Sequence, residues 1–179
     1  MNEIAEQILL HLYNSIEYGF SYRAKKGLFI PNRLPIFWKP TYKKDIKEII
    51  RDLNREKFLK KKQNYDGSIT VYITEKGKLR ALSLRFKKLK DKKAIWDKKW
   101  RMVAFDIPEE FKKGRNALRY RLRMAGFCEL QESLFLHPHD CKKEIDDFVK
   151  IFKLEKYVRF ALLDFIDNQD WLKKLYKLD

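Results

Sequence analysis

The residues whose types and spacing bear on chemistry begin with one run, WRMVAFDIPEE at positions 100–110. An apolar stretch stops on Asp106, and Pro108, Glu109 and Glu110 follow. A carboxylate planted where a buried strand ends has two uses. It can cap the turn made by Ile107 and Pro108, or favour the N-terminus of the helix that follows, a place Glu109 and Glu110 also suit. Alternatively it can bind a hard cation. Magnesium takes oxygen ligands and keeps several waters, so two facing carboxylates and a substrate phosphate would suffice. We expect a cap or a role at a dimer contact, and keep Asp106 as the one candidate catalytic and metal-binding residue. His137, His139 and Cys141 alternate, but a structural zinc site needs four ligands and only the distant Cys128 is left. That segment reads more simply as a strand end turning into a helix, with Asp140 as N-cap. The sequence shows no glycine-rich phosphate loop and no serine-nucleophile constellation.

A second group of residues bears on binding. In positions 41–55, Ile46, Ile49, Ile50 and Leu53 recur at the spacing of one helix face, with Thr41 as candidate N-cap after Pro40. The opposite face carries Lys44, Lys47, Arg51 and Arg55, with Lys43 beside them and Glu48 as relief. Lys60, Lys61 and Lys62 come next, in the first arm of a hairpin whose turn is Asn64 to Gly67. A basic helix face beside a lysine-bearing hairpin suits duplex DNA, the helix in the major groove and the hairpin on phosphates.

Charge supports that assignment. The 179 residues carry a formal net charge of +16. Residues 1–95 hold 23 Lys and Arg against 10 Asp and Glu, whereas residues 96–179 hold 18 against 15. A positive field concentrated in one half recruits polyanions, nucleic acid first among them. No long basic amphipathic helix with a bulky insertable face favours a membrane instead. No apolar window is long enough to span a bilayer, the N-terminus lacks a secretion signal, and two cysteines make no disulfide framework, so a cytoplasmic protein is expected.

These residues must be positioned by two sets of elements. In the first half we expect a helix from Ile4 to Ile16 stopping near Gly19, and an irregular segment over 20–40 with Pro31, Pro35 and Pro40. The basic helix, the hairpin and a further helix opened by Thr74-Glu-Lys-Gly77 complete it. That is the order of a winged helix-turn-helix, although 20–40 does not read as a clean second helix. The charged stretch at 85–94 reads as the frayed end of a helix leading into a linker, which sets expected domains of 1–93 and 94–179. The second half reads as strand (100–106), helix (109–125, with Arg115, Arg119 and Arg123 outward), two short strands around Glu132, helix (142–152), strand (157–164) and a short last helix (170–178). The β-α-β-β-α-β order is ferredoxin-like, giving an α+β fold overall. With roughly 80 residues to build on, its open sheet face needs cover from the other half or a second chain, so a dimer is expected.

The run at 99–109, the helix with Arg115-Asn-Ala-Leu-Arg119, Gly126-Phe127 and the segment His137 to Asp140 resemble the central domain of the PaaX family. These are winged-helix transcriptional repressors whose central domain is similar to the small CRISPR-associated endoribonuclease that scaffolds spacer integration. Asp106, Gly126, Gln131, Ser133 and Phe135 carry the nuclease-like part of the resemblance. It implies a DNA-binding repressor that dimerises through the ferredoxin-like domain. In the nuclease family the aspartate is proposed to hold a divalent ion with its partner-subunit counterpart. Family repressors continue into another C-terminal domain, whereas this sequence ends soon after the fourth expected strand, so no small-molecule effector is assigned. The expectation is a homodimeric, duplex-DNA-binding regulator without a cofactor and without enzymatic activity. The alternatives are a magnesium-dependent nuclease or a non-regulatory nucleic-acid scaffold.

Overall fold

The structure, a computed structural model, describes residues 3–14, 19–23, 43–90 and 95–178, with the backbone alone at 19–23 and 43–46. The chain divides into two compact units between Leu84 and Arg85.

In the first unit, α1 (Glu3–Asn14) buries Ala5, Ile8, Leu9 and Leu12, the face its periodicity dictates. Its described extent reaches Asn14, residues 15–18 lie outside the described residues, and Gly19, expected near its end, opens β1 (Gly19–Arg23). Helix α2 (Lys43–Arg55) buries Ile50 and Leu53. The hairpin of β2 (Leu59–Gln63) and β3 (Ser68–Ile73) turns at Gly67, whose φ of 73° lies where only glycine is unstrained. The three strands form an antiparallel sheet in the order β1-β3-β2, with Gly19 opposite Tyr72 and Leu59 opposite Ile73. Thr41 and the rest of residues 24–42, where a second helix of a helix-turn-helix would fall, lie outside the described residues.

Helix α3 (Glu75–Lys90) starts on a compact joint. The Thr74 hydroxyl donates to the carbonyl of Lys57 at 2.7 Å and accepts the Gly77 N–H at 3.0 Å, an N-cap that also ties down the turn before β2. Gly77 is buried, and a Cβ there would overlap the Phe58 carbonyl oxygen, so only glycine allows this approach. The division at Leu84 falls inside α3, upstream of the 93/94 boundary expected from charge. Arg85, the first residue of the second unit, reaches Glu144 and, at 2.6 Å, Asp147 of that unit.

The second unit contains β4 (Trp100–Phe105), a 3-10 turn (Glu109–Phe111), α4 (Lys112–Met124), β5 (Cys128–Gln131), β6 (Leu134–His137), α5 (Lys142–Phe152), β7 (Val158–Leu163) and α6 (Gln169–Tyr176). Its antiparallel sheet runs β5-β6-β4-β7, so the two helix-linked strand pairs interleave as the ferredoxin-like pattern requires. Gly126, at φ 83°, ends α4. Val103, Phe105 and Phe135 lie on the sheet face that meets Leu118 and Leu122 of α4 and Ile145 and Phe148 of α5, all buried. The opposite face carries Trp100, Met102, Cys128, Leu136 and Leu163, and α6 lies on it through Leu172 and Tyr176. The expectation that only another domain or chain would cover this face therefore needs correcting. One end of it is closed by the chain's own last helix, because Leu172 and Tyr176 sit one helical turn apart. Among the described residues no helix is long and apolar enough to cross a membrane.

Candidate functional site

Two regions hold the residues singled out from the sequence, one in each unit. In the first unit, Lys47, Arg51 and Arg55 of α2 are exposed. The charges are not wholly free: Arg55 pairs with Asp52 at 3.1 Å and Arg51 approaches Glu48 at 3.9 Å. Both pairs are open to solvent, so each contributes little and yields readily to a competing anion. Lys43 and Lys44 fall within the α2 backbone, but their side chains lie outside the described residues.

Strand β2 is an edge of its sheet, and Lys60, Lys61 and Lys62 are all exposed along it. Lys61 stands opposite the buried Val71 yet remains in solvent, as an unflanked edge permits. Lys60 rests its ammonium 5.8 Å from the Tyr72 ring centroid. Edge lysines also guard a sheet against strand-to-strand aggregation, so the triplet has a structural use besides any ligand. Since α2 packs against β2, the exposed bases of helix and strand belong to adjoining elements of one unit.

In the second unit Asp106 follows β4 at the rim of an open recess of about 530 Å3. Cross-strand register builds its floor: Gln131 is opposite Leu134, which is opposite Ala104, which is opposite Arg159. Ser133, Lys156 and Tyr157 complete the wall, and this is the end of the sheet face that α6 leaves open. The expected cap role for Asp106 is not what the structure contains. Among the described residues its carboxylate accepts no hydrogen bond; only its backbone N–H is used, donating to the Tyr157 carbonyl at 3.0 Å. Pro108 has no N–H to offer, and the following turn is served by Glu109. Hydrogen bonds from Lys112 and Arg115 hold the Glu109 carboxyl down at about 2.

A magnesium ion fits this recess poorly within one chain. Among the described residues Asp106 is the only acid lining it, while Lys156 and Arg159 bring positive charge. Among the described residues no three His, Cys, Asp or Glu side chains converge as a metal set. His137 is buried, stacks on Phe127 with centroids 4.6 Å apart, and shares Nδ1 with the backbone of His139. Cys141 occupies the N-cap position of α5, while Asp140, expected there, accepts the Lys142 N–H at 3.1 Å from one residue earlier.

The α4 arginines, expected to form a solvated face, are engaged within the unit. Arg115 donates to the Ile107 carbonyl and to Glu109, Arg119 to the Glu132 carbonyl, and Arg123 to Glu129. They brace the turn after β4 and the β5–β6 hairpin. The sequence held no direct signal for this, because each acceptor lies beyond a turn.

Two features that sequence reasoning missed anchor the same sheet. Arg101 is buried within it, where it makes a bidentate pair with Asp97 at 2.6 Å and donates to the Pro138 carbonyl. The Arg101 hydrogen bonds lower the Asp97 carboxyl to about 2. Tyr176 pins α6 to the sheet: its hydroxyl accepts the Cys128 N–H at 2.7 Å and donates toward the Gly126 and Leu136 carbonyls, both at 2.9 Å. Burial raises the Tyr176 hydroxyl and the Cys128 thiol above their ordinary values.

Comparison with known proteins bears on the second unit. Residues 93–172 match the family model of the PaaX protein central Cas2-like domain. The match runs from before β4 into α6 and leaves the first unit outside it. The chain matches no curated protein and no solved structure.

Proposed function

Taking the PaaX-type central domain at residues 93–172 as premise, we propose that this protein is a sequence-specific duplex-DNA-binding transcriptional regulator, a repressor that acts as a homodimer. The first unit serves as a winged helix-turn-helix. Helix α2 enters the major groove with Lys43, Lys44, Lys47, Arg51 and Arg55, and the β2–β3 hairpin sets Lys60, Lys61 and Lys62 on adjacent phosphates. The second unit provides the dimer contact through the part of its sheet face that α6 does not cover. The observation that carries this reading is the adjoining exposed basic surface of α2 and β2 in the more strongly charged half of the chain. Selection of bound sequences from a random duplex pool tests it directly. A regulator returns a discrete motif, repeated in two symmetric half-sites if the protein is dimeric. Recovery of no motif, or of no duplex at all, refutes the proposal.

The second reading is a magnesium-dependent nuclease, and one observation favours it: the Asp106 carboxylate is free of internal partners among the described residues. Two such acids facing each other across a dimer axis would form the oxygen-rich pair that one chain lacks. Incubation with labelled RNA and DNA, in magnesium and in chelator, separates the readings. Cleavage that is abolished by Asp106→Ala while dimerisation persists establishes the nuclease. Intact substrate under all conditions removes the nuclease reading.

A further inference from the structure

The recess beside Asp106 holds opposite charges that do not pair. Asp106, Lys156 and Arg159 all line it, yet among the described residues none of the three forms an ion pair, with one another or with any other group. The backbone brings them together: the Asp106 N–H donates to the Tyr157 carbonyl at 3.0 Å, so the residue after β4 runs beside those leading into β7. Two of the surrounding groups are fixed. Arg159 spends one guanidinium nitrogen on the carbonyls of Glu155 and Val158, at 3.2 and 3.0 Å, which leaves its other nitrogens to the recess. Tyr157 packs its ring against Phe111, with centroids 5.4 Å apart, and makes a stiff wall. An apolar floor lies between the charges. Leu134 stands opposite Ala104, which stands opposite Arg159, so the three form a row across neighbouring strands. Asp106 follows Ala104 by two positions, on the same sheet face and about 7 Å further along.

We infer that the recess is a binding site for a free α-amino acid with an apolar side chain. The ammonium of such a ligand donates to the Asp106 carboxylate, its carboxylate accepts from Lys156 and Arg159, and its side chain lies on Leu134 and Ala104. Every polar contact then joins two charged groups, the stronger class of hydrogen bond. A simple anion would face Asp106, and a simple cation would face Lys156 and Arg159. Like charges at such range repel, so the recess selects a small molecule that carries both signs. Its volume of about 530 Å3 is that of a small-molecule site and ample for one amino acid. This goes beyond the duplex-DNA reading and does not depend on it. In the homodimer of that reading the ligand is enclosed between copies, where it pairs charges that a partner would otherwise bury alone.

The test is equilibrium dialysis of the full-length protein against radiolabelled L-phenylalanine, in chelator and without nucleic acid. Wild type takes up the label saturably at millimolar concentration. Three competitors each lack one part of the ligand: phenethylamine the carboxylate, 3-phenylpropanoate the ammonium, and glycine the side chain. Each displaces the label at least about tenfold less well than unlabelled phenylalanine, the scale of one lost charged hydrogen bond or one buried apolar side chain. Asp106→Asn and Lys156→Gln weaken uptake by a similar factor while their urea midpoints stay at the wild-type value. The inference is overturned if wild type shows no saturable uptake, if any of the three competitors matches phenylalanine, or if either variant binds as wild type does. Because the dialysis contains no nucleic acid, its failure leaves the duplex-DNA reading standing, and failure of that reading in the duplex selection leaves this one untouched.

Discussion

Asp97 and Asp106 lie beyond the two ends of β4, and the chain holds them in opposite ways. Asp97 is locked in a bidentate pair with the buried Arg101, so its carboxyl sits at about 2. A carboxyl lowered on folding contributes stability above its unfolded pKa, near 4, and that contribution is lost as pH falls toward the folded value. Wild type should therefore lose stability between about pH 4 and pH 2 more steeply than Asp97→Asn, as measured by urea unfolding across that range. Asp106 has no internal partner among the described residues. Replacing it with alanine should move stability by no more than about 0.5 kcal/mol, the range of unengaged surface positions. A larger loss in denaturant melts would mean that the acid is structural after all. The apolar run of WRMVAFD and its abrupt stop made Asp106 conspicuous in the sequence. Asp97 escaped notice because nothing in a sequence marks an arginine inside a strand as needing a partner.

At the scale of elements, α3 and α6 show how single interactions seat whole helices. The start of α3 approaches the Phe58 carbonyl so closely that Gly77→Ala must displace backbone. The expected cost is on the order of 1–3 kcal/mol, the range of overpacked sites, read as a lowered urea midpoint with unchanged slope. Helix α6 depends on the Tyr176 hydroxyl. Tyr176→Phe leaves the Cys128 N–H without that acceptor beneath the helix, at roughly 1–3 kcal/mol. Because Cys128 is buried in the same cluster, its alkylation by a thiol reagent should quicken in this variant as α6 opens more often. Legibility followed the sequence distance between partners. The Leu118 and Leu122 period, the Asn64 to Gly67 turn and the β4 run are local signals, and each produced its element. Strand β1 was missed because GFSYR is short and exists only through its pairing with β3, some fifty residues downstream. The cover that α6 gives the sheet was missed for the same reason, since Tyr176 bonds to residues 40 and 50 positions away.

Across the whole molecule, the net charge of +16 gives salt two opposing effects. Added salt screens self-repulsion and should raise the denaturation midpoint. The same salt should weaken duplex binding by roughly a thousandfold or more between 50 and 200 mM if six to ten phosphates are engaged. Parallel thermal and binding titrations check the pair of signs, and binding insensitive to salt would contradict an interface built on lysine and arginine. The two sheets also finish their borders differently. Strand β2 carries the lysine triplet, and β5 is broken by an irregularity between Glu129 and Gln131. Strand β7 borders its sheet with six residues, VRFALL, of which Arg159 alone is charged. Such a border is a template for sideways pairing, and among the described residues Arg159 is the one charge along the strand that guards it. With the net charge of +16 screened, two of these borders lose the repulsion between them, so the salt that raises the melting midpoint should also bring on precipitation, read as light scattering against salt.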